Sequence, residues 1–500
     1  MLAMSSHRRV VYIIIDGMNR DALEQVIHAG RAPALAWLKA SSSYVRDSIA
    51  VFPTITPVAT ASLVTGATPA RHGIPGMCWY DHSAQRFVNY GQSPRAAVVE
   101  GMTQVVDDFL INLNARHLSP DVATIHEKLH GLGLTTASVN YMIFRGPFQH
   151  ELDLNLLQRL FFGKHHRRSI PGPKEHYFAD LVSGPTEACT KLLSVRGIDK
   201  RIRATDGWAA CVTRELLEKR AADMILFYLH ENDHTSHEDG PGAQVDSLVE
   251  ADRHIAHVLD AFDSWEEATE QVGFVVTADH SQSPVSDEKD HIVSFDDVLG
   301  DFKLVRRSRG KERFKSNDLA WAGNGRAVFF YLHPERRDKL RAPLLDTLSE
   351  VDGIDQVLYR SEDGYVVEGE RGHLVFRPAE GADGVTDERG ERWILEGDLG
   401  VVDGVVEGGA IITPEYPLAL WRIKSALDCE RIGDVVATMK LTFEASDIAG
   451  GDHRGGGDHA SLHAQDSVVP FLSTLGQPPL RPSTVDVCPH IVRHFEQLGS

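Results

Sequence analysis

The sequence predicts an α/β fold: a doubly wound, mainly parallel sheet with an inserted, smaller α+β domain. Three observations carry that prediction. Continuous apolar, β-branched runs followed at once by polar residues read as strands buried on both faces. Helical segments alternate with them, as βαβ units require. After about residue 300 the texture changes to charged turns and short alternating strands, so a second unit interrupts the first.

The first run, residues 10–15, closes with Asp16 and Gly17 and delivers a carboxylate to the C-terminal end of its strand. Open α/β sheets bind their ligands at that edge. Residues 21–29 read as a helix, and from Val51 a loop leads into a second helix that starts near Thr56 and ends at Gly66. Further strands are expected at 135–139, at 224–229 before a polar, His-rich stretch, and at 273–277 before Asp279 and His280. Short strands such as 325–332 and 372–376 belong to the insertion, which also holds a Gly/Asp/Glu-rich stretch over 380–409. The core texture returns at 468–472, and 487–498 forms a closing helix. The α/β core is therefore assigned to 1–300 and 445–500, and a cap-like α+β insertion to 301–444.

Composition narrows the function. A formal net charge of −20 over 500 residues argues against wrapping duplex nucleic acid or lying on an anionic membrane. The local basic stretches at 164–168 and 306–315 read as solvated loops. Cys78, Cys189, Cys211, Cys429 and Cys488 show no paired spacing, which predicts reduced structural thiols. The run at 10–15 is too short for a signal segment, and no other run reaches transmembrane length, so a cytoplasmic location is expected.

The chemistry lies at the strand ends. Asp16, Asp233 and His237 in HENDHTSHEDGP, Asp279 and His280 in VVTADHSQSP, and His459 in GGGDHASLHAQD offer carboxylate oxygens and imidazole nitrogens. That mixture suits zinc, whereas magnesium or calcium favours oxygen alone. Six ligands and one hydroxyl fill two sites. Two metals about 3.5–4 Å apart clamp the attacking and leaving oxygens of a displacement at phosphorus. The hydroxyl is Thr56 in VFPTITPVATASLVTG, which before Pro57 also has the form of an ordinary helix N-cap. A helix N-terminus favours an anion, and the amides of Thr56 and Val58 are the expected donors to a phosphoryl group there. The chain holds 25 His, and His230, His234, His453 and His463 compete for the ligand roles. Motif spacing alone sets them aside.

These segments resemble the alkaline phosphatase superfamily, in the branch of nucleotide pyrophosphatase/phosphodiesterases and phosphonoacetate hydrolases. The matching pieces are IIIDG around Asp16, PTIT at 53–56 running on to SLVTG and RHGIPGMCWYD, DHTSH at 233–237, TADH at 277–280 and DHASL at 458–462. The resemblance spans 8–85, 222–285 and 450–475 and leaves the insertion uncovered. It implies that Asp16, Asp279, His280 and the Thr56 oxygen hold one zinc, and Asp233, His237 and His459 the other. It further implies in-line attack by Thr56 and a covalent phosphothreonine intermediate, hydrolysed in turn by water.

The substrate expected is a small phosphate or phosphonate ester. The phosphodiesterase branch carries an asparagine three residues after its nucleophile, and Ala59 stands there. Either Asn140 or Tyr141 replaces that donor, or the substrate differs from a nucleotide diester; Tyr80, beside Trp79, offers an aromatic wall or packs in the core. A phosphonoacetate-type C–P hydrolase, a phosphomonoesterase and a phosphomutase are the rival chemistries, with Arg145 or Arg454 as the extra cation that a dianionic phosphoryl needs. A sulfatase would carry Cys or Ser at the nucleophile position. The rival from another class is an inactive relative kept as a binding scaffold, against which the complete ligand set stands.

Overall fold

The computed structural model describes residues 9–152, 169–179, 181, 182, 189, 205–309, 314–381, 383–446 and 452–499. Its centre is a seven-stranded sheet of β1 (Arg9–Ile15), β2 (Ser43–Ile49), β3 (Thr136–Val139), β4 (Glu175–Tyr177), β5 (Met224–Leu229), β6 (Val272–Thr277) and β7 (Val468–Ser473). The spatial order is β2-β7-β6-β1-β5-β3-β4. β1 runs parallel to both neighbours, with Ile15 opposite Leu229 and Ile14 opposite Thr277. β7 alone runs opposite to the other six strands. The register brings the ends of β1, β5 and β6 to one edge, so Asp16, the segment after Leu229 and Asp279 leave the sheet together.

The β-branched run of β1 is explained by burial on both faces. Val10, Tyr12 and Ile14 pack into one apolar cluster, while Val11, Ile13 and Ile15 pack into another on the opposite face. A strand with no solvent face has no reason to alternate.

The second unit is built on a ten-stranded, mostly antiparallel sheet whose strands lie between Leu319 and Met439. One face, including Phe329, Tyr331, Val367 and Trp393, joins the same apolar cluster as β1 and Trp79. The other face packs on helix Arg337–Ser349 through Leu344 and Leu348, and takes in Phe295 and Leu299. The neck is closed by a parallel pair, Ile292–Ser294 with Glu444–Ser446. The two sheets thus share a core.

The polar, His-rich stretch after β5 is a helix, Glu231–Asp239. One local expectation changes. Cys189 and Cys211 are bonded, with Cα atoms 5.8 Å apart, where reduced thiols were expected; 22 residues separate them, so tertiary packing and no local motif pairs them. Cys78, Cys429 and Cys488 are buried and take no part in a disulfide. The basic stretch at 164–168 lies outside the described residues, as do parts of 306–315 and 450–457.

Three buried histidines make acid stability testable. His72 and His126 are fully buried and His117 is nearly so. Burial pushes each down to about 3, from an ordinary value of about 6.5. All three are neutral when folded and take up protons when unfolded, so their stability contribution is complete above about pH 6.5 and is lost as pH falls towards 3. Each adds a slope of about 1.4 kcal/mol per pH unit in that window. The thermal midpoint should fall steeply from pH 6.5 to 4, and less steeply in His126→Gln. A midpoint independent of pH over that range contradicts this.

Candidate metal centre and nucleophile

Asp16 leaves β1 and is followed by Gly17 at φ +63, where a Cβ would come within 2.8 Å of Asp233 Oδ1. Glycine is needed there on both counts, because φ is left-handed and a carboxylate approaches closely. Helix Glu231–Asp239 places Asp233 and His237 one turn apart on a single face. Asp233 Oδ2 lies 3.4 Å from His237 Nε2, and Gln282 Nε2 donates to Asp233 Oδ1. Beyond β6, Asp279 Oδ1 accepts from the amides of Gly17 (3.2 Å) and His280 (3.0 Å).

The three expected histidine ligands share one arrangement. Nδ1 faces a backbone carbonyl in each: Gly457 at 2.8 Å for His237, Thr54 at 2.7 Å for His459 and Ser281 at 3.2 Å for His280. A carbonyl only accepts, so each Nδ1 carries the hydrogen and each Nε2 keeps its lone pair, as in metal-ligating histidines. The rings stand close, His280 stacked on His459 at 3.8 Å and His459 at 5.1 Å from His237. His280 Nε2 lies 3.6 Å from Asp16 Oδ1 and 3.5 Å from Asp279 Oδ2.

Thr56 corrects its expected role as a cap. Ile55 is the N-cap of helix Thr56–Thr65 and no side chain caps it; Thr56 is the first helical residue. Its hydroxyl instead meets His280 Nε2 at 3.1 Å. The anion-site expectation also narrows, because the Val58 amide donates to the Ile55 carbonyl at 3.0 Å.

Electrostatically the cluster is rich in buried carboxylates. Burial pushes Asp16 well above the usual carboxylate range, and the nearby Asp279 and Asp233 carboxylates push it further. Burial raises Asp279 too. Asp16 Oδ1 and Asp279 Oδ2 are buried without a hydrogen-bond partner. Burial also pushes His237 down to about 4 and His459 well below its ordinary value, so both imidazoles are neutral donors. Orphaned carboxylate oxygens beside neutral imidazoles are costly alone and suit a bound cation. Asp16, Asp233 and His280 offer atoms within 4.8 Å of one another, as do Asp233, His237 and His459. Asp233 stands in both groups and joins them.

Several supporting residues escape a reading by sequence. The Tyr228 hydroxyl donates to Asp16 Oδ2, although Tyr228 reads as one more apolar residue of β5. Asn232 Nδ2 holds the Asp16 carbonyl at 2.8 Å, and Gln244 Nε2 the Gly17 carbonyl at 2.9 Å. Arg326 reaches in from a hairpin turn of the second sheet. Its buried guanidinium donates to the Asp458 carbonyl and to Ser283 Oγ (2.9 Å) and pairs with Asp466 at 3.3 Å. Its amide donates to the His459 carbonyl at 3.0 Å. The insertion thereby fixes the loop that carries His459.

The expected substrate residues fare differently. Tyr80 is 1% exposed among Phe87, Phe314 and Tyr331, so it packs rather than forming an open wall. Tyr141 is fully buried and its hydroxyl donates to the Thr60 carbonyl, which ties it to helix Thr56–Thr65. Asn140 sits at the end of β3 with φ +62. Arg145 is occupied by Glu127 and by the carbonyls of Leu118, Ser119 and Val122. Among the competing histidines, His230 faces Asp206 at 3.1 Å, His234 faces Glu238 at 3.4 Å, and His463 faces Asp355 at 3.1 Å. Only His453 of these four has its ring against an expected ligand, 4.2 Å from that of His237.

Comparison with known proteins adds two findings. The family model described as type I phosphodiesterase / nucleotide pyrophosphatase matches residues 10–461. Among solved structures, murine ectonucleotide pyrophosphatase/phosphodiesterase 5 is similar with a TM-score of 0.55 and 13% identity, over 97% of this chain and 95% of that one. An inactive form of that murine protein in complex with AMP gives 0.54 and 12%, over 98% and 95%. Phosphonoacetate hydrolase from Sinorhizobium meliloti, in complex with phosphonoformate, gives 0.57 and 18%, over 97% and 95%. At these identities the structural likeness speaks for the fold.

Proposed function

The chain belongs to the type I phosphodiesterase/nucleotide pyrophosphatase family, and from that premise we propose that it is a two-zinc phosphodiesterase whose nucleophile is Thr56. Asp16, Asp279, His280 and Thr56 would hold one ion, and Asp233, His237 and His459 the other. The observation that carries this reading is the Thr56 hydroxyl, free of any capping role and 3.1 Å from His280 Nε2. Bound zinc supplies positive charge that polarises phosphoryl oxygens and eases deprotonation of the attacking oxygens.

The chain's own residues do the rest. The Thr56 Oγ1–P bond forms as the P–O bond to the leaving group breaks, and the hydroxyl proton departs to solvent. Water then cleaves the threonine ester and restores the hydroxyl. Tyr228, Gln282 and the Gly457 and Thr54 carbonyls hold Asp16, Asp233, His237 and His459 in fixed orientations, which is what preorganised electrostatic catalysis needs.

A diester is favoured over a monoester because a dianionic phosphoryl needs added cations, and Arg145 is already committed to Glu127. The AMP and phosphonoformate of the two similar structures support a small phosphate or phosphonate ester as ligand. The intact ligand set weighs against an inactive scaffold. Among the described residues no helix is long and apolar enough to cross a membrane. The Cys189–Cys211 bond favours an oxidising compartment over the cytoplasmic location expected from the sequence, since disulfides persist there. Metal analysis paired with assays on bis-p-nitrophenyl phosphate and p-nitrophenyl phosphate tests the reading. Two metals per chain and faster turnover of the diester are expected; metal-free protein inactive on both esters would sink the proposal.

A further inference from the structure

His237 stands between two sets of ligand atoms. Its Nδ1 is committed to the Gly457 carbonyl, so Nε2 holds the one lone pair available to a metal. Asp233, His237 and His459 form the inner set; His237, His453 and Asp458 form a second, also with ligand atoms within 4.8 Å of one another.

The second set is constructed as metal sites are. Glu444, 2% exposed, lies 2.7 Å from His453 Nδ1 and accepts the His453 amide at 2.8 Å. A carboxylate placed so fixes the ring and leaves Nε2 as the donor. Asp458 is 2% exposed, and its Oδ2 has no hydrogen-bond partner. A buried carboxylate oxygen left so is costly unless a cation completes it. Gly325, at φ +64, makes room for that carboxylate, because a Cβ there would lie 2.5 Å from Asp458 Oδ1. Two imidazoles and a carboxylate suit zinc and similar transition metals.

One lone pair serves one ion at a time, so the two sets are alternative positions of a single ion. Their exposure differs. The His453 side chain is 36% exposed, whereas His459 is 5% exposed and stacked on His280. We propose that His237, His453 and Asp458 form an outer loading position, from which a divalent transition metal passes inward as His237 exchanges His453 and Asp458 for Asp233 and His459 as co-ligands. The proposal rests on the two-metal reading for its inner destination.

Zinc uptake by the metal-depleted full chain, followed by stopped flow against a chromophoric chelator, tests it. His453→Ala should slow uptake of the second equivalent at least tenfold and leave two zinc per chain at equilibrium. Uptake at the wild-type rate overturns the proposal. So does loss of the second equivalent in His453→Ala with its retention in His459→Ala, which would make His453 the inner ligand. In crystals of His459→Ala soaked with cobalt(II), an anomalous peak is expected among His237, His453 and Asp458. A peak beside Asp233 and His237, or none, overturns the proposal without touching the two-metal reading. That reading fails separately if wild-type crystals show no peak at Asp233, His237 and His459.

Discussion

Thr56→Ala should lower kcat on a phosphodiester by at least about 10³-fold while both metals stay bound, since removing a nucleophile removes the covalent route altogether. The retained metal follows from the ligand set. Asp16, Asp279 and His280 all remain, and Asp279 stays oriented by the Gly17 and His280 amides. The fold should tolerate the change, because Thr56 makes no capping hydrogen bond; a stability change within about 0.5 kcal/mol is expected of a substitution that removes no such feature. Thr56→Ser keeps a hydroxyl at the same place and should keep most of the turnover. Metal content, thermal midpoint and kcat measured on one preparation check all three statements. Unchanged kcat in the alanine variant rules Thr56 out as the nucleophile.

Removal of the metals should abolish activity and destabilise the protein together. Asp16 and Asp279 each leave a buried oxygen without a partner, and burial already pushes both carboxyls upward. An ion bound at a thousand times its dissociation constant stabilises the native state by about 4 kcal/mol, and that stabilisation disappears with the ion. After exhaustive chelation the denaturation midpoint should fall accordingly, and zinc should restore both stability and turnover. Full activity in protein verified as metal-free contradicts the account.

The fold was legible wherever local pattern and tertiary burial agree. The run of β1 has no polar position because both of its faces are covered, and β-branched continuity reports that condition directly. The placement of the Asp16 and Asp279 carboxylates was legible for a related reason: both leave parallel strands at one edge, and strand ends can be read from where apolar runs stop. Where one residue has two local meanings, pattern fails. Thr56 before Pro57 has the form of a cap, and only the position of His280, 224 residues away, shows where its hydroxyl goes. Tyr80 and Tyr141 carried the right chemistry for substrate contact but are buried, which depends on the second sheet and on helix Thr56–Thr65. Arg326 was invisible because an arginine in a hairpin turn looks solvated until the loop it enters is placed. The Cys189–Cys211 pairing likewise depends on chain segments meeting in space.

The most direct test of the central claim is the stereochemical course at phosphorus, measured with a chiral phosphorothioate diester in isotopically labelled water. Attack by Thr56 followed by attack of water makes two in-line displacements, so the account predicts net retention of configuration. Net inversion, the mark of a single displacement by water, contradicts it.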